Sequence, residues 1–258
     1  MQSTALSTPQ TAMELAHYLH SLLPSTLKDY CPNGLQIEGT RSIRKIVTGV
    51  TATLELLEAA QAWDADTIFV HHGLFWSGDS PCLVGWRRKR IEAFLQSGVS
   101  LYAYHLPLDI HPELGNNAQL AQQLDIRVHE AKAEQGLLWF GQFDEPLLEK
   151  DFSEFLALRL GHTPLVIETG RTIQNVAWCT GGAQRYFENA LEAAPFPLDA
   201  YITGEISEQY VHLSRMTGVT FAAAGHHATE RYGVQAVGVH LENQFAIEHR
   251  FIDCPSPV

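Results

Sequence analysis

Apolar residues follow two spacings along the chain, and the alternation between them lays out its organisation. At helical spacing, Met13, Leu15, Ala16, Leu19, Leu22 and Leu23 form one stripe across Thr11 to Leu23, which Pro24 ends. After the turn Cys31-Pro32-Asn33-Gly34, short apolar runs of strand length appear around Leu35 to Ile37, at Ile46 to Val50 and at Thr67 to Val70. A helical stretch, Leu54 to Ala62, lies between the last two, and another, Arg87 to Gln96, leads to a further run at Val99 to Tyr104. Strand and helix in alternation predict an α/β layered domain with mostly parallel strands.

The second half repeats this order. Val47 to Ala52 followed by Leu54 to Ala60 has a counterpart in Trp178 to Ala183 followed by Phe187 to Ala194, each reading as strand, Thr-Gly turn and helix. Asp66 to Val70 matches Asp199 to Thr203, and Gly98 to Tyr104 matches Gly218 to Ala224. An internal duplication accounts for this most simply, although two generic βαβ patterns would give the same correspondence. The stretch from Val128 to Glu149, with Gly136, Gly141 and Pro146, is the expected connection. It divides the chain into residues 1–128 and 129–258, with Asp151 to Leu160 resuming as a helix and the C-terminal strand free to pack back on the first repeat.

Composition narrows the function classes. An apolar fraction of 45% and a charged fraction of 18% over 258 residues fit a folded protein with a substantial core. A net charge of -12 with only 17 Lys and Arg argues against broad binding to nucleic acid or an anionic membrane, while a bound dication would still admit nucleotides. Cys31, Cys82, Cys179 and Cys254 make no CxxC pair and read as reduced packing thiols. Met1 to Gln10 has no signal-peptide pattern and no run is long enough to span a membrane, so the expectation is a cytoplasmic protein.

The chemistry concentrates at strand ends. His71-His72 closes the run Ile68-Phe69-Val70, and two half-motifs, His105-Leu106-Pro107-Leu108-Asp109 and His226-His227-Ala228-Thr229-Glu230, each follow another run. Ligands at the carboxyl ends of strands are where α/β proteins place their sites. Successive strand residues point to opposite sides, so His71 and His72 are expected to serve two adjacent metals unless the strand breaks at Gly73. The bland alternative makes one a core residue and the other a surface residue.

If Gly225 opens a helix, His226 and Glu230 share one face in chelate geometry; otherwise Glu230 pairs with Arg231 or solvent and His226 caps the helix. Pro107 favours a shaped loop between His105 and Asp109, which makes Asp109 the better ligand and His105 a group that orients it or a bound water. The set His71, His72, Asp109, His226 and Glu230 suits two metals with open positions, and its imidazole and carboxylate donors fit zinc, manganese, iron, cobalt or nickel.

Glu205 reads either as a proton acceptor or as a carboxylate at the start of the Ser207 helix. The polar groups of His111 to Asn117 read as capping the next helix or touching substrate, capping being the more economical, and Phe75 and Trp76 as a subunit contact or the wall of a pocket for a planar base. No nucleophile elbow, phosphate loop or dinucleotide fingerprint occurs.

Together, Val70-His71-His72-Gly73-Leu74-Phe75-Trp76, Tyr104 to Asp109 and Ala224 to Arg231 resemble the Nif-three-like dinuclear metal proteins, or GTP cyclohydrolase I type 2 homologues, in their short bacterial form. The resemblance extends to Asn33-Gly34-Leu35-Gln36, Leu114 to Asn117, Thr203-Gly204-Glu205 and Phe251-Ile252-Asp253. It implies two intertwined, duplicated α/β domains with mixed sheets in a layered arrangement, a two-metal site in the cleft between them, and a toroidal homohexamer.

By that resemblance His71, His72, Asp109, His226 and Glu230 are the metal ligands, holding two divalent ions per subunit. The leading expectation is a metal-dependent hydrolase of a nucleotide or related heterocycle, with His105 and Glu205 as catalytic candidates. The alternatives are a metal-handling or regulatory protein without turnover, and a nuclease or phosphoesterase using Arg87, Arg88, Lys89 and Arg90.

Overall fold

The computed structural model describes residues 8–258. The expectation that Met1 to Gln10 holds no targeting segment falls largely on residues 1–7, outside that range. In chain order the first elements are α1 (Ala12–Leu22), β1 (Gly34–Ile37), β2 (Lys45–Thr51), α2 (Leu54–Ala62), β3 (Thr67–His72), α3 (Gly85–Ser97) and β4 (Ser100–Ala103). Then come α4 (Leu106–Ile110), α5 (Asn116–Gln123), β5 (Ile126–Ala133), β6 (Leu138–Leu148), α6 (Glu149–Leu160), β7 (Leu165–Ile167) and β8 (Thr172–Trp178). The chain closes with α7 (Phe187–Ala193), β9 (Ala200–Thr203), α8 (Glu208–Thr217), β10 (Thr220–Ala223), α9 (His226–Gln244) and β11 (Glu248–Phe251).

Local chemistry sets many of the ends. Thr11 and Glu14 form a reciprocal capping box at the start of α1, whose Ala12, Leu15 and Leu19 are buried. Thr53 caps α2 through the Leu56 amide at 3.0 Å. Gly98 and Gly218 end α3 and α8 in the left-handed conformation that a side chain would strain.

Two compact units result: residues up to Leu108 with Gly233–Cys254, and Asp109–Tyr232 with Pro255–Val258. The first unit holds a five-stranded sheet ordered β1-β4-β3-β2-β11. Its pairs are parallel except β1 with β4, and the C-terminal strand β11 lies beside β2. Val47, Leu56, Ile68, Val70, Phe94 and Leu101 form its core.

The second unit holds a six-stranded sheet ordered β5-β6-β8-β9-β10-β7. Residues alternate between its two faces along β9: Ala200 and Ile202 join Phe152, Leu156 and Trp178, whereas Tyr201 joins Phe187 and Phe221. The order β-α-β-α-β recurs with parallel pairing in β2-α2-β3-α3-β4 and β8-α7-β9-α8-β10.

Two expectations change. The sheets are mixed, as the family resemblance implies, and not mostly parallel as the alternation alone predicts, because β1 with β4, β5 with β6, β6 with β8 and β7 with β10 pair antiparallel. Residues 128–149, expected as a connection, lie mostly within β5 and β6. Gly136 takes φ +94 in the turn between them, and Gly141 lies where a Cβ would stand 2.6 Å from Ile126 and 2.7 Å from the Arg127 carbonyl oxygen. These glycines mark a tight turn and close strand packing.

Candidate metal centre

In the first unit, β3 lies between β4 and β2 and ends in His71 and His72. Their rings do not diverge as strand alternation predicts. Each leans over a different neighbour: His71 Nδ1 donates to the Tyr104 carbonyl oxygen at 2.9 Å, just past β4, and His72 Nδ1 pairs with Thr51 Oγ1 at 3.1 Å, at the end of β2. The ring centroids stand 4.5 Å apart.

His105 joins them, 5.0 Å from His71 and 5.9 Å from His72 between centroids. One ring nitrogen from each of the three histidines lies within 4.8 Å of the other two. Trp76 packs edge-on against His105 at 5.1 Å and lies 5.7 Å from His72, so an indole shields this cluster.

His105 is oriented by a residue that the sequence does not signal. Its Nδ1 donates to Asp29 Oδ1 at 2.6 Å, across 76 positions of chain. Asn33 Nδ2 and the Leu106 amide both donate to Asp29 Oδ2 at 2.9 Å, and Asn33 Oδ1 accepts from the His105 amide at 2.7 Å. Burial alone would raise the Asp29 pKa, but the His105 ring and these donors outweigh it and hold the carboxyl down to about 2.

The turn after His72 is fixed as well. Gln36 Oε1 accepts from the Leu74 amide at 2.8 Å, and Arg90 donates to the carbonyl oxygens of Ala52 and Gly73. Arg87 pairs with Asp79 at 3.2 Å and Arg88 with Glu92 at 3.5 Å. Three of the four basic residues at 87–90 are thus engaged locally, which weakens the case for a nucleic-acid surface there.

In the second unit, Asp109 sits on a one-turn helix, not on the expected loop. Pro107 lies in the first turn of α4, where an amide hydrogen would have no intrahelical partner and its loss costs little. Asp109 is buried, and its Oδ1 accepts from Asn116 Nδ2 at 2.9 Å and Thr180 Oγ1 at 3.4 Å. Asn117 Nδ2 donates to the carbonyl oxygens of Asp109 at 3.2 Å and Leu137 at 3.1 Å, while its Oδ1 accepts from the Thr180 amide at 3.2 Å. Gly115 is the N-cap of α5, with no side-chain bond, so Asn116 and Asn117 position Asp109 instead of capping.

Gly225, at φ +92, precedes α9, which opens at His226. The spacing of four then puts His226 Nε2 and Glu230 Oε2 3.0 Å apart on one face. Glu205 does not cap the following helix: its Oε1 accepts from His226 Nδ1 at 2.7 Å, and Ser207 occupies the cap position. Burial disfavours a charged His226, but Glu230 and Glu205 outweigh it and raise the pKa to about 10.

Gly181 completes this half. The Thr229 hydroxyl accepts from its amide at 3.0 Å, and a Cβ at this position, with φ +67, would overlap Glu230 Oε1. Burial pushes the neighbouring Cys179 thiol up, and the negative charges of Asp109 and Glu230 add to it. Carboxylates gathered in a buried setting favour a compensating cation.

Residues 10–257 match the family Duf34/NIF3 (NGG1p interacting factor 3). The chain belongs to this family. A protein of Pseudomonas aeruginosa named GTP cyclohydrolase 1 type 2 homolog is 53% identical over 90% of this chain and 92% of its own length. A protein of the same name from Allochromatium vinosum is 48% identical over 95% and 96%. Among solved structures, the protein ybgI, described as of unknown function, superposes with a TM-score of 0.91 at 44% identity, covering 96% of this chain and all of that one. A protein from Thermus thermophilus gives 0.85 at 32% identity over 96% of this chain and 100% of its own.

Proposed function

We propose that this Duf34/NIF3 protein holds two divalent metal ions through His71, His72, Asp109, His226 and Glu230 and acts as a metal-dependent hydrolase of a nucleotide or related heterocycle. One observation carries the reading. His71, His72, His105 and His226 each engage Nδ1 with a neighbour, respectively Tyr104, Thr51, Asp29 and Glu205, so that Nε2 is the ring atom that would meet a metal, with His226 Nε2 lying 3.0 Å from Glu230 Oε2. Metal-binding histidines are characteristically held in this way, because the partner at one ring nitrogen fixes the tautomer and strengthens the other as a ligand.

The donor set is imidazole and carboxylate, which suits zinc, manganese, iron, cobalt or nickel. When bound, such ions supply Lewis acidity and make water a nucleophile near neutral pH.

The protein's own groups do the rest. Asp29 and Glu205 keep two rings in one orientation, Asn116 and Thr180 keep the Asp109 carboxylate in place, and Trp76 packs beside the rings of His72 and His105. The Glu205 side chain is 40% exposed, which leaves it able to accept a proton from a substrate. The names of the relatives, GTP cyclohydrolase 1 type 2 homolog, favour a nucleotide substrate.

The test is turnover by fully metallated protein across a nucleotide panel. Hydrolysis of one member that is lost on chelation is expected, and no turnover of any member contradicts the hydrolase reading. The same reading takes the protein as a cytoplasmic homohexamer, for which light scattering coupled to gel filtration should return six times the 28.7 kDa chain mass.

A further inference from the structure

A cavity of about 380 Å³ lies within the second unit, lined by α5, by the edge strand β5 and by Trp139 of β6. That volume falls in the range of small-molecule sites, roughly 300–1,000 Å³. Pro112, Ala118 and Ala121 give it one apolar wall, and Ile126, Val128 and Trp139 another. None of the candidate metal ligands lines it.

The edge strand also brings charge to this cavity. Every second residue of β5, from Ile126 through Val128 and Glu130 to Lys132, belongs to the lining. The ladder to β6 is irregular between Val128 and Lys132, where β5 carries extra residues. Such bulges bend a strand and re-aim its side chains.

Lys132 is the residue so aimed. It pairs in register with Trp139, and its Nζ sits 3.4 Å from the centre of the indole. The indole is a fixed platform, since it is buried and its Nε1 donates to the Gly136 carbonyl oxygen at 2.7 Å. Although the residue as a whole is exposed, its ammonium lies against this ring at the cavity wall, and the loss of water there pushes its pKa down. Among the described residues no oxygen lies within ion-pair or hydrogen-bond distance of Nζ, in a chain with 29 acidic residues against 17 basic ones. Contact with an aromatic face leaves the N–H donors of an ammonium free to meet an anion.

We propose that this cavity binds a small carboxylate with an apolar body, the carboxylate on Lys132 and the body among Pro112, Ala118, Ala121, Ile126 and Val128. One unpaired cation beside apolar walls matches those two parts, whereas a polyanion would place unmatched charge against the walls. Glu130, also in the lining, suits an α-amino group. The carboxylate therefore has two sources, an apolar amino acid and a simple branched acid.

The test is calorimetric titration of the protein as purified with isocaproate, L-leucine and the amides of both, with metal content measured on the same samples. At least one of the two carboxylates should bind, and the tighter one shows whether the ligand carries the α-amino group. Its amide keeps the body, loses the negative charge and should bind at least about tenfold more weakly, the loss of one charge-assisted hydrogen bond. Lys132→Met keeps an apolar stem on Trp139 and should weaken the carboxylate by a similar factor. Val128→Trp, at a position 42% exposed, should fill the cavity and abolish binding. Both variants should keep the parent's circular dichroism and metal content.

Failure of both isocaproate and leucine to bind, or an amide that binds as tightly as its acid, overturns the proposal. So does a carboxylate that binds Lys132→Met as tightly as the parent, because it then sits elsewhere, on the metal ions included. Lys132→Met lies on the exposed edge strand and decides the matter even if Val128→Trp fails to fold.

Discussion

The histidine anchors differ from the candidate ligands in how they are encoded. Strand ends and the His-x-x-x-acid spacing are local, so His71, His72, Asp109, His226 and Glu230 could be singled out from neighbouring residues alone. Asp29 meets His105 across 76 positions and Glu205 meets His226 across 21, and no local pattern announces such a meeting. Gly181 was legible only as part of a Thr-Gly turn; its closeness to Glu230 is a product of folding. Replacing it by alanine should push the Glu230 carboxylate aside and cost about 1–2 kcal/mol for the left-handed backbone. Metal content should fall in the Gly181→Ala protein, as read by plasma mass spectrometry, while its circular dichroism stays that of the parent. Glu149, away from these residues, gives a test of pH dependence. Burial would raise its pKa, but the Thr220 hydroxyl and the Thr169 and Gly170 amides outweigh that and lower it below its ordinary 4.5. The carboxylate therefore stabilises the fold above about pH 4.5, and this contribution is lost as the pH falls through the lowered value. Urea melts should show Glu149→Gln weaker than the parent by about 1–3 kcal/mol at neutral pH, with the gap closing in acid.

At the level of elements, periodicity carried most of the information. The helix read at Leu54 to Ala62 is α2 in full, and the apolar runs at Ile46, Thr67 and Val99 are β2, β3 and β4 within a residue or two. The antiparallel pair β5 and β6 escaped because β5 is largely exposed and carries Arg127, His129, Glu130 and Lys132, so it has little apolar alternation to read. In β6 the glycine and proline suggested a linker. Gly141 instead serves close packing, and Pro146 sits where the ladder to β8 is irregular, between Gln142 and Leu147. A side chain at 141 has no room, so Gly141→Val should lower the denaturant midpoint by about 1–3 kcal/mol of stability. A midpoint equal to the parent's would show that 141 tolerates a side chain after all.

For the whole molecule, the chain passes from one unit to the other at Leu108/Asp109, at Tyr232/Gly233 and again at Cys254/Pro255. Residues distant in sequence therefore fold together, and β11 completes the first sheet from the far end of the chain. This return was open in the sequence as a possibility, since nothing in Glu248 to Phe251 names the strand it pairs with. Among the described residues no helix is long and apolar enough to cross a membrane. The central claim of the proposed function is that His71, His72, Asp109, His226 and Glu230 hold divalent metal. The most direct measurement is metal content per chain, by plasma mass spectrometry, in protein purified without added metal and in its Asp109→Ala and Glu230→Ala variants. The account predicts two divalent ions in the parent, a loss of metal in both variants, and unchanged circular dichroism. Variants that fold and keep the parent's metal content would contradict it.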